Sequence, residues 1–109
     1  PYTTLFRSRI TGCFEAGRLI GLAEVFPLDA GAEAAFSVDA HWRCQGIGTA
    51  LVARALEVCR RGRHSPMILY IQACNRPMQR VARKTGFRLS LEDGETVARH
   101  ELAGLPVAA

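Results

Sequence analysis

The chain has 109 residues, 49% of them hydrophobic and 22% charged, which is the composition of one folded domain with a modest core and excludes a disordered chain. No apolar run is long enough to cross a bilayer as a helix, and no stretch reads as a signal peptide. The formal charge is +4, with thirteen arginines to one lysine; a balance this small does not by itself imply nucleic acid.

Sixteen alanines accompany the arginines, a bias that fits translation from a GC-rich genome. The four cysteines, Cys13, Cys44, Cys59 and Cys74, are widely spaced, with no CxxC pair and no Cys/His cluster. That spacing argues against a disulfide scaffold and a metal site, and for free thiols in a reducing cytoplasm.

Residues 1–8, PYTTLFRS, differ from the rest: they hold two threonines and a tyrosine, and no alanine or glycine. Back-translated, they resemble a widely used sequencing-adapter sequence read in frame. They are expected to be a foreign prefix on a gene fragment, and such scars carry no fold information. The competing reading is a short native strand. Sequencing the source locus decides it: a native upstream frame encoding these eight residues overturns the adapter reading.

From Arg9 the pattern is strand-like. ITGCFE, Ala16-Gly17 and RLIGLAEVF predict a hairpin. Pro27 and Asp29-Ala30-Gly31 break the pattern, and EAAFSV (33–38) predicts a third strand. Residues 46–61 read as a helix, because Leu51, Val52, Ala55, Leu56 and Cys59 recur at three- and four-residue spacing. Arg60, Arg61 and Gly62 suit its end.

MILYIQA (67–73) is a short apolar run typical of a buried strand. Asn75 is a good N-cap for a second helix, with Pro77 in the first turn and Gly86 as the stop. RLSLE, Asp93-Gly94 and ETVARHEL predict a closing hairpin, and the tail from Gly104 is expected to fray. The order βββαβαββ predicts an α/β domain (9–103) with a mixed sheet rather than a doubly wound one.

The informative segment is Arg43-Cys44-Gln45-Gly46-Ile47-Gly48-Thr49, between a strand and a helix. Gly46 and Gly48 let the backbone approach an anion closely, and the helix adds its positive end. Arg43 can supply a charged contact and Thr49 a hydroxyl, so a pyrophosphate fits. A Walker A loop would need Gly-Lys-Ser/Thr, but Gly48 is followed by Thr49-Ala50. A dinucleotide fingerprint would need a third glycine or alanine in register and a following acid, and both are missing. By itself the GxG is also compatible with a tight turn and nothing more.

VDAHWRCQGIGTAL, then a strand, then NRPMQRVARKTGF, closely resembles the GNAT superfamily of acyl-CoA-dependent N-acyltransferases. The resemblance covers about Ile10 to Leu102. Its specific motifs are 36–49, with Ala40 where proline is common, and 75–87.

It implies a mostly antiparallel sheet with splayed central strands. It implies acetyl-CoA as cosubstrate, with the backbone of Phe36, Ser37 and Val38 pairing the pantetheine arm. The N–H groups of Arg43, Cys44, Gln45, Gly46, Ile47, Gly48 and Thr49 would hold the pyrophosphate, and Asn75 would reach the pantetheine. Cys44 stands where the family usually has glycine.

For the chemistry, the carried-over backbone N–H of Val38 would polarise the thioester carbonyl. An alkylammonium has a pKa of ~10.4, so its proton must go to a base. Glu33, three residues before Phe36, matches a base position of some protein-acetylating members; Glu24 and Asp39 are rivals.

The family's proton-donating tyrosine, seven residues after the asparagine, is replaced by Ala82. Tyr70 is the substitute candidate against the competing reading of a buried packing tyrosine, and water is a further donor. Cys74 has no histidine to activate it. His41 reads as a turn residue, and Trp42 as packing beside the cofactor or at the core edge. Arg76, Arg80, Arg83 and Lys84 form a basic helix face that suits the 3′-phosphate or an acidic substrate, or is simply solvated.

The family normally places a strand and one or two helices before the first hairpin, and these form much of the acceptor wall. A chain lacking them is expected to expose an apolar patch and to bind CoA weakly, and its activity is left open.

The resulting expectation is a bacterial, cytoplasmic N-acetyltransferase transferring acetyl from acetyl-CoA directly to a primary amine. The amine is a small molecule or a protein lysine or N-terminus, with no metal, no nucleic acid and no membrane partner, and homodimerisation left open. The alternatives are a non-catalytic CoA-binding module of the same fold and, further off, a small basic nucleic-acid-binding domain.

Overall fold

The structure is a computed structural model that describes residues 8–102. The tail expected to fray and all of the expected foreign prefix except Ser8 lie outside the described residues.

The elements follow the expected order. They are β1 (Arg9–Glu15), β2 (Arg18–Leu28), β3 (Gly31–Val38), a single 3-10 turn (Ala40–Trp42), α1 (Ile47–Arg61), β4 (Met67–Ile71), α2 (Arg76–Lys84), β5 (Arg88–Glu92) and β6 (Glu95–His100). The strands form one sheet in the order β1-β2-β3-β4-β6-β5. Every neighbouring pair is antiparallel except β3–β4.

The local causes are those read from the sequence. Ala16-Gly17 and Asp93-Gly94 both take positive φ at two consecutive positions, which matches the right-handed twist of the strands they join. The Asn75 side chain accepts from the Met78 N–H at 3.2 Å and so caps α2.

Two boundaries differ from expectation. Pro27 does not end its strand but pairs with Ala32 inside the β2–β3 ladder. Ala32 gives its own N–H to the Pro66 carbonyl at 3.0 Å on the other side, so this pair asks for no N–H from proline. β4 ends at Ile71 rather than Ala73, because Asn75 N–H turns back to the Gln72 carbonyl at 2.9 Å.

Both helices cover one face of the sheet. A side chain at Gly21 would touch Ile47 and Leu51 of α1, which places Gly21, Ala23 and Val25 of β2 on the helix side; the bulge at Ile20 turns Leu19 to the other face. There Val52, Cys59, Met67 and Leu69 are the largest fully buried side chains. Burial pushes the Cys59 thiol up to about 11, so it behaves as a small hydrophobe. Ala82 of α2 lies in the same core at 0% exposure.

The other face carries no helix among the described residues. It exposes Ile10, Phe14, Leu19 and Leu28.

The β3–β4 pairing is the one parallel contact, and it joins only Ala32 with Met67 and Glu33 with Ile68. Beyond Glu33 the two strands splay. The join is tight where it exists. Gly31 sits at φ +107 with its Cα against Pro66; an added Cβ would lie 2.3 Å from the Pro66 carbonyl oxygen. Gly31→Ala is therefore expected to cost on the order of 2–4 kcal/mol, from backbone strain and the clash together. Denaturant unfolding measures this, and a loss below about 0.5 kcal/mol contradicts it.

Candidate active site

The splay leaves backbone groups without strand partners. Ala32 points its N–H toward β4, whereas Asp39 gives its N–H to Ile20 of β2 at 2.8 Å. Strand alternation then fixes the residues between them. The N–H groups of Ala34, Phe36 and Val38 face β4, and those of Glu33, Ala35 and Ser37 face β2. The Glu33–Ile68 pair takes up the Ala34 N–H, so beyond it the edges of Phe36 and Val38 face an open gap. The same alternation turns the backbone of Tyr70 into the gap from the β4 side.

The gap is a cleft of about 340 Å³, lined by residues 33–36 of β3, residues 69–72 of β4 and its end, and Asn75 and Met78 of α2. Of the candidates read from the sequence, Glu33, Phe36, Tyr70 and Asn75 meet here. Val38 lies further along β3 beyond the cleft lining, and its carbonyl accepts from the Arg43 Nε at 3.3 Å. Ser37 pairs with Leu22 of β2, so of the three β3 residues expected to offer backbone to a ligand, Phe36 and Val38 present it to the gap.

Tyr70 is 54% exposed, so it does not pack in the core. Its side chain stands on the helix-free face at the mouth of the cleft, two residues beyond Ile68, the partner of Glu33. The position the family fills with tyrosine is the buried Ala82.

At the wide end of the gap, residues 43–46 form an exposed turn leading into α1. Gly46 is the N-cap at φ 85, and no side chain caps the helix. The first N–H groups of the helix, at Ile47, Gly48 and Thr49, have no intrahelical acceptor by the geometry of any helix start. Cys44 holds φ 62, a left-handed conformation that costs a cysteine about 1 kcal/mol and glycine nothing. This is the physical reason the position suits glycine.

Asp39 accepts from the His41 N–H at 3.0 Å and pairs with Arg18 at 3.4 Å, so it shapes the turn rather than facing the cleft. Trp42 is half-buried in the 3-10 turn.

No motif in the sequence singles out Gln72, Met78 or Gln79 for the site. Gln72 and Met78 line the cleft, and Gln79 donates to the Ala73 carbonyl at 2.9 Å, which holds the turn that presents Asn75. The spacing of Gln79 four residues after Asn75 was the available signal. The splay was legible only through family resemblance, since no residue type marks where a strand pair separates.

An open strand edge, a helix start free of side-chain caps and a two-sided cleft place this chain in the class of α/β domains built around a separated pair of parallel strands. The Acetyltransferase (GNAT) family model matches residues 3–87, and the chain belongs to that family.

Among solved structures it is similar to the GNAT domain of Streptomyces lividans PAT, at 20% identity and a TM-score of 0.82, over 87% of this chain and 61% of that one. It is also similar to yncA of Salmonella typhimurium with its cofactor acetyl-CoA, at 18% identity and a TM-score of 0.84, over 99% of this chain and 72% of that one. A third is the paia N-acetyltransferase of Thermoplasma acidophilum in complex with coenzyme A, at 20% identity and a TM-score of 0.80, over 92% and 64%. The chain thus spans less than two thirds of the first and third. No curated protein matches it. Likeness at this identity speaks to the fold.

Two substitutions separate the structural part of Asn75 from any ligand contact. Asn75→Ala is expected to cost about 1 kcal/mol through the lost cap. Asn75→Asp keeps the accepting oxygen, and with it the stability, and removes the amide donor; weaker acetyl-CoA binding is the outcome expected of a ligand contact. Melting curves and titration calorimetry on the same samples check this; equal affinity for Asn75→Asp and the unchanged chain removes Asn75 from the ligand contacts.

Proposed function

We propose that this chain is an N-acetyltransferase that carries an acetyl group from acetyl-CoA directly to a primary amine in a reducing cytoplasm. The carrying observation is the unpaired β3 edge facing the cleft, which offers N–H and C=O groups at the spacing of a missing strand. An extended amide-containing arm can add there by main-chain hydrogen bonds. The turn at 43–49 suits the pyrophosphate, since its exposed N–H groups and the α1 start favour an anion. The four free thiols suit the compartment.

Acetyl-CoA supplies an activated acetyl thioester. Glu33, half-buried at the closed end of the cleft, takes the proton of the incoming ammonium. The freed amine forms the new C–N bond as the C–S bond breaks, and the acylated nitrogen gives its second proton to water. The Val38 N–H, the carried-over donor, stabilises the oxygen charge that develops; it lies five residues, about 16 Å, along β3 from Glu33, so the ammonium's proton reaches Glu33 through water. Tyr70 at the mouth, or water, returns a proton to the leaving thiolate.

A second reading, a CoA-binding module without catalysis, is favoured by one observation: the family's tyrosine position is a core alanine. Among the described residues no group of three or more His, Cys, Asp and Glu is placed to hold a metal ion, and no helix is long and apolar enough to cross a membrane.

Titration with acetyl-CoA should give saturable heat, and thiol release should require an added amine. Glu33→Gln should lower kcat by about 10²-fold. Binding without transfer selects the second reading. Neither heat nor thermal shift at millimolar ligand removes both.

A further inference from the structure

Among the described residues the sheet ends in two open edges, β1 and β5. β1 is the longer, with seven residues against five. It carries none of the devices that usually guard an edge. It has no proline and no lysine, and the extra residue at its irregularity with β2 is Ile20, on the β2 side.

The hairpin fixes which backbone groups β1 turns outward. Glu15 and Arg18 flank a two-residue turn and so form a hydrogen-bonded pair, and alternation makes Cys13, Thr11 and Arg9 bond toward β2 as well. The far side of β2 agrees. Its Ile20 carbonyl faces β3, where it accepts from Asp39, which leaves Gly21, Ala23 and Val25 bonding toward β1. The N–H and C=O groups of Ile10, Gly12 and Phe14 therefore point away from the sheet.

The side chains of β1, RITGCFE, complement their own reversal about Gly12. Laid antiparallel on a second copy with Gly12 on the two-fold axis, Arg9 of one copy stands opposite Glu15 of the other, and Ile10 opposite Phe14. In this register the outward-facing residues meet one another. Ile10 with Phe14, Gly12 with Gly12 and Phe14 with Ile10 each exchange two main-chain bonds, roughly six in all. The charged residues fall at the non-hydrogen-bonded positions, where side chains on paired strands come closest.

These groups are available. Arg9 and Glu15 form no ion pair or side-chain hydrogen bond with any described residue. Ile10 and Phe14 are each 63% exposed, on the helix-free face. The Phe14 ring lies over Gly12, 2.8 Å from where a Cβ would stand, so the axis position carries no side chain of its own. β5 offers less: its Glu92 is already held by Arg99 at 2.5 and 3.2 Å and by Ser90 at 2.6 Å.

We propose that β1 pairs with β1 of a second copy, antiparallel about Gly12. The two six-stranded sheets then join into one continuous sheet, with the helices of both copies on the same side. The two Arg9–Glu15 pairs set the register, and the Ile10–Phe14 contacts cover exposed apolar surface. The seam is narrow for a protein interface, so its Kd is expected to be on the order of 10–100 μM. This association is independent of the acetyl-transfer reading.

Sedimentation equilibrium of the full chain, from about 5 μM to about 0.5 mM, measures it. The mass is expected to rise from 11.9 kDa toward twice that value. Hydrogen exchange of the Ile10, Gly12 and Phe14 amides should slow over the same range. Glu15→Arg sets like charges opposite one another and should raise Kd about tenfold, and Arg9→Glu should do the same. The double variant exchanges both charges and should restore the Kd of the unchanged chain. Ile10→Pro removes an outward N–H without touching the β2 ladder and should also raise Kd about tenfold.

A chain that stays monomeric at the top concentration overturns the proposal. So does a dimer whose Kd ignores all three single substitutions, because it then uses another surface. Edge amides protected to the same degree at every concentration show that the chain covers this edge itself, and they overturn it too. Mass and exchange of the unchanged chain decide the question without any variant having to fold.

Discussion

Two parallel strands that stay hydrogen-bonded for only two residue pairs organise this protein. A β-strand edge left unpaired is normally a hazard, because its N–H and C=O groups demand partners. Here the edge is central rather than peripheral, and the splay is pinned at one end by the close approach of Gly31 to Pro66. The rest of the architecture follows from that wedge. β2 holds β3 through an unbroken eight-residue register, β6 holds β4 through five, and the opening between them is stiff on both sides.

The two ends and two faces of the wedge differ in charge. At the wide end the α1 start and the turn before it present N–H groups and Arg43. At the closed end, on the helix-free side, the half-buried Glu33 meets no described cation, because Arg99, which shares its row through Ile68, is committed to Glu92. An anionic ligand entering along β3 and a cationic one approaching from the free face would each meet the complementary sign. Such a division raises encounter rates and disfavours the wrong ligand at each mouth.

Much of this was legible in the chain, and the reasons are local. The Ala16-Gly17 and Asp93-Gly94 turns, the Asn75 cap and the spacing of Leu51, Val52, Ala55 and Cys59 depend on contacts within a few residues. Pro27 misled because its tolerance depends on Ala32 turning its N–H to a third segment, at Pro66. The exposure of Tyr70 was ambiguous because MILYI reads the same whether one face or both are covered. The absence of the family's tyrosine was visible as Ala82. That Ala82 is wholly buried, with Tyr70 at the cleft mouth instead, was not.

The sequence by itself determined the element order, the turn chemistry and the presence of an anion-suited helix start, since each is encoded in neighbouring residues. Its length and charge pointed to one modest domain with little electrostatic character. Only the tertiary structure decided where the β3–β4 pair separates, which backbone groups face the gap, and which arginine is already taken. The first two depend on the register of strands about thirty-five residues apart, and the third on how β5 faces β6 across the Asp93-Gly94 turn, none of which residue type alone dictates.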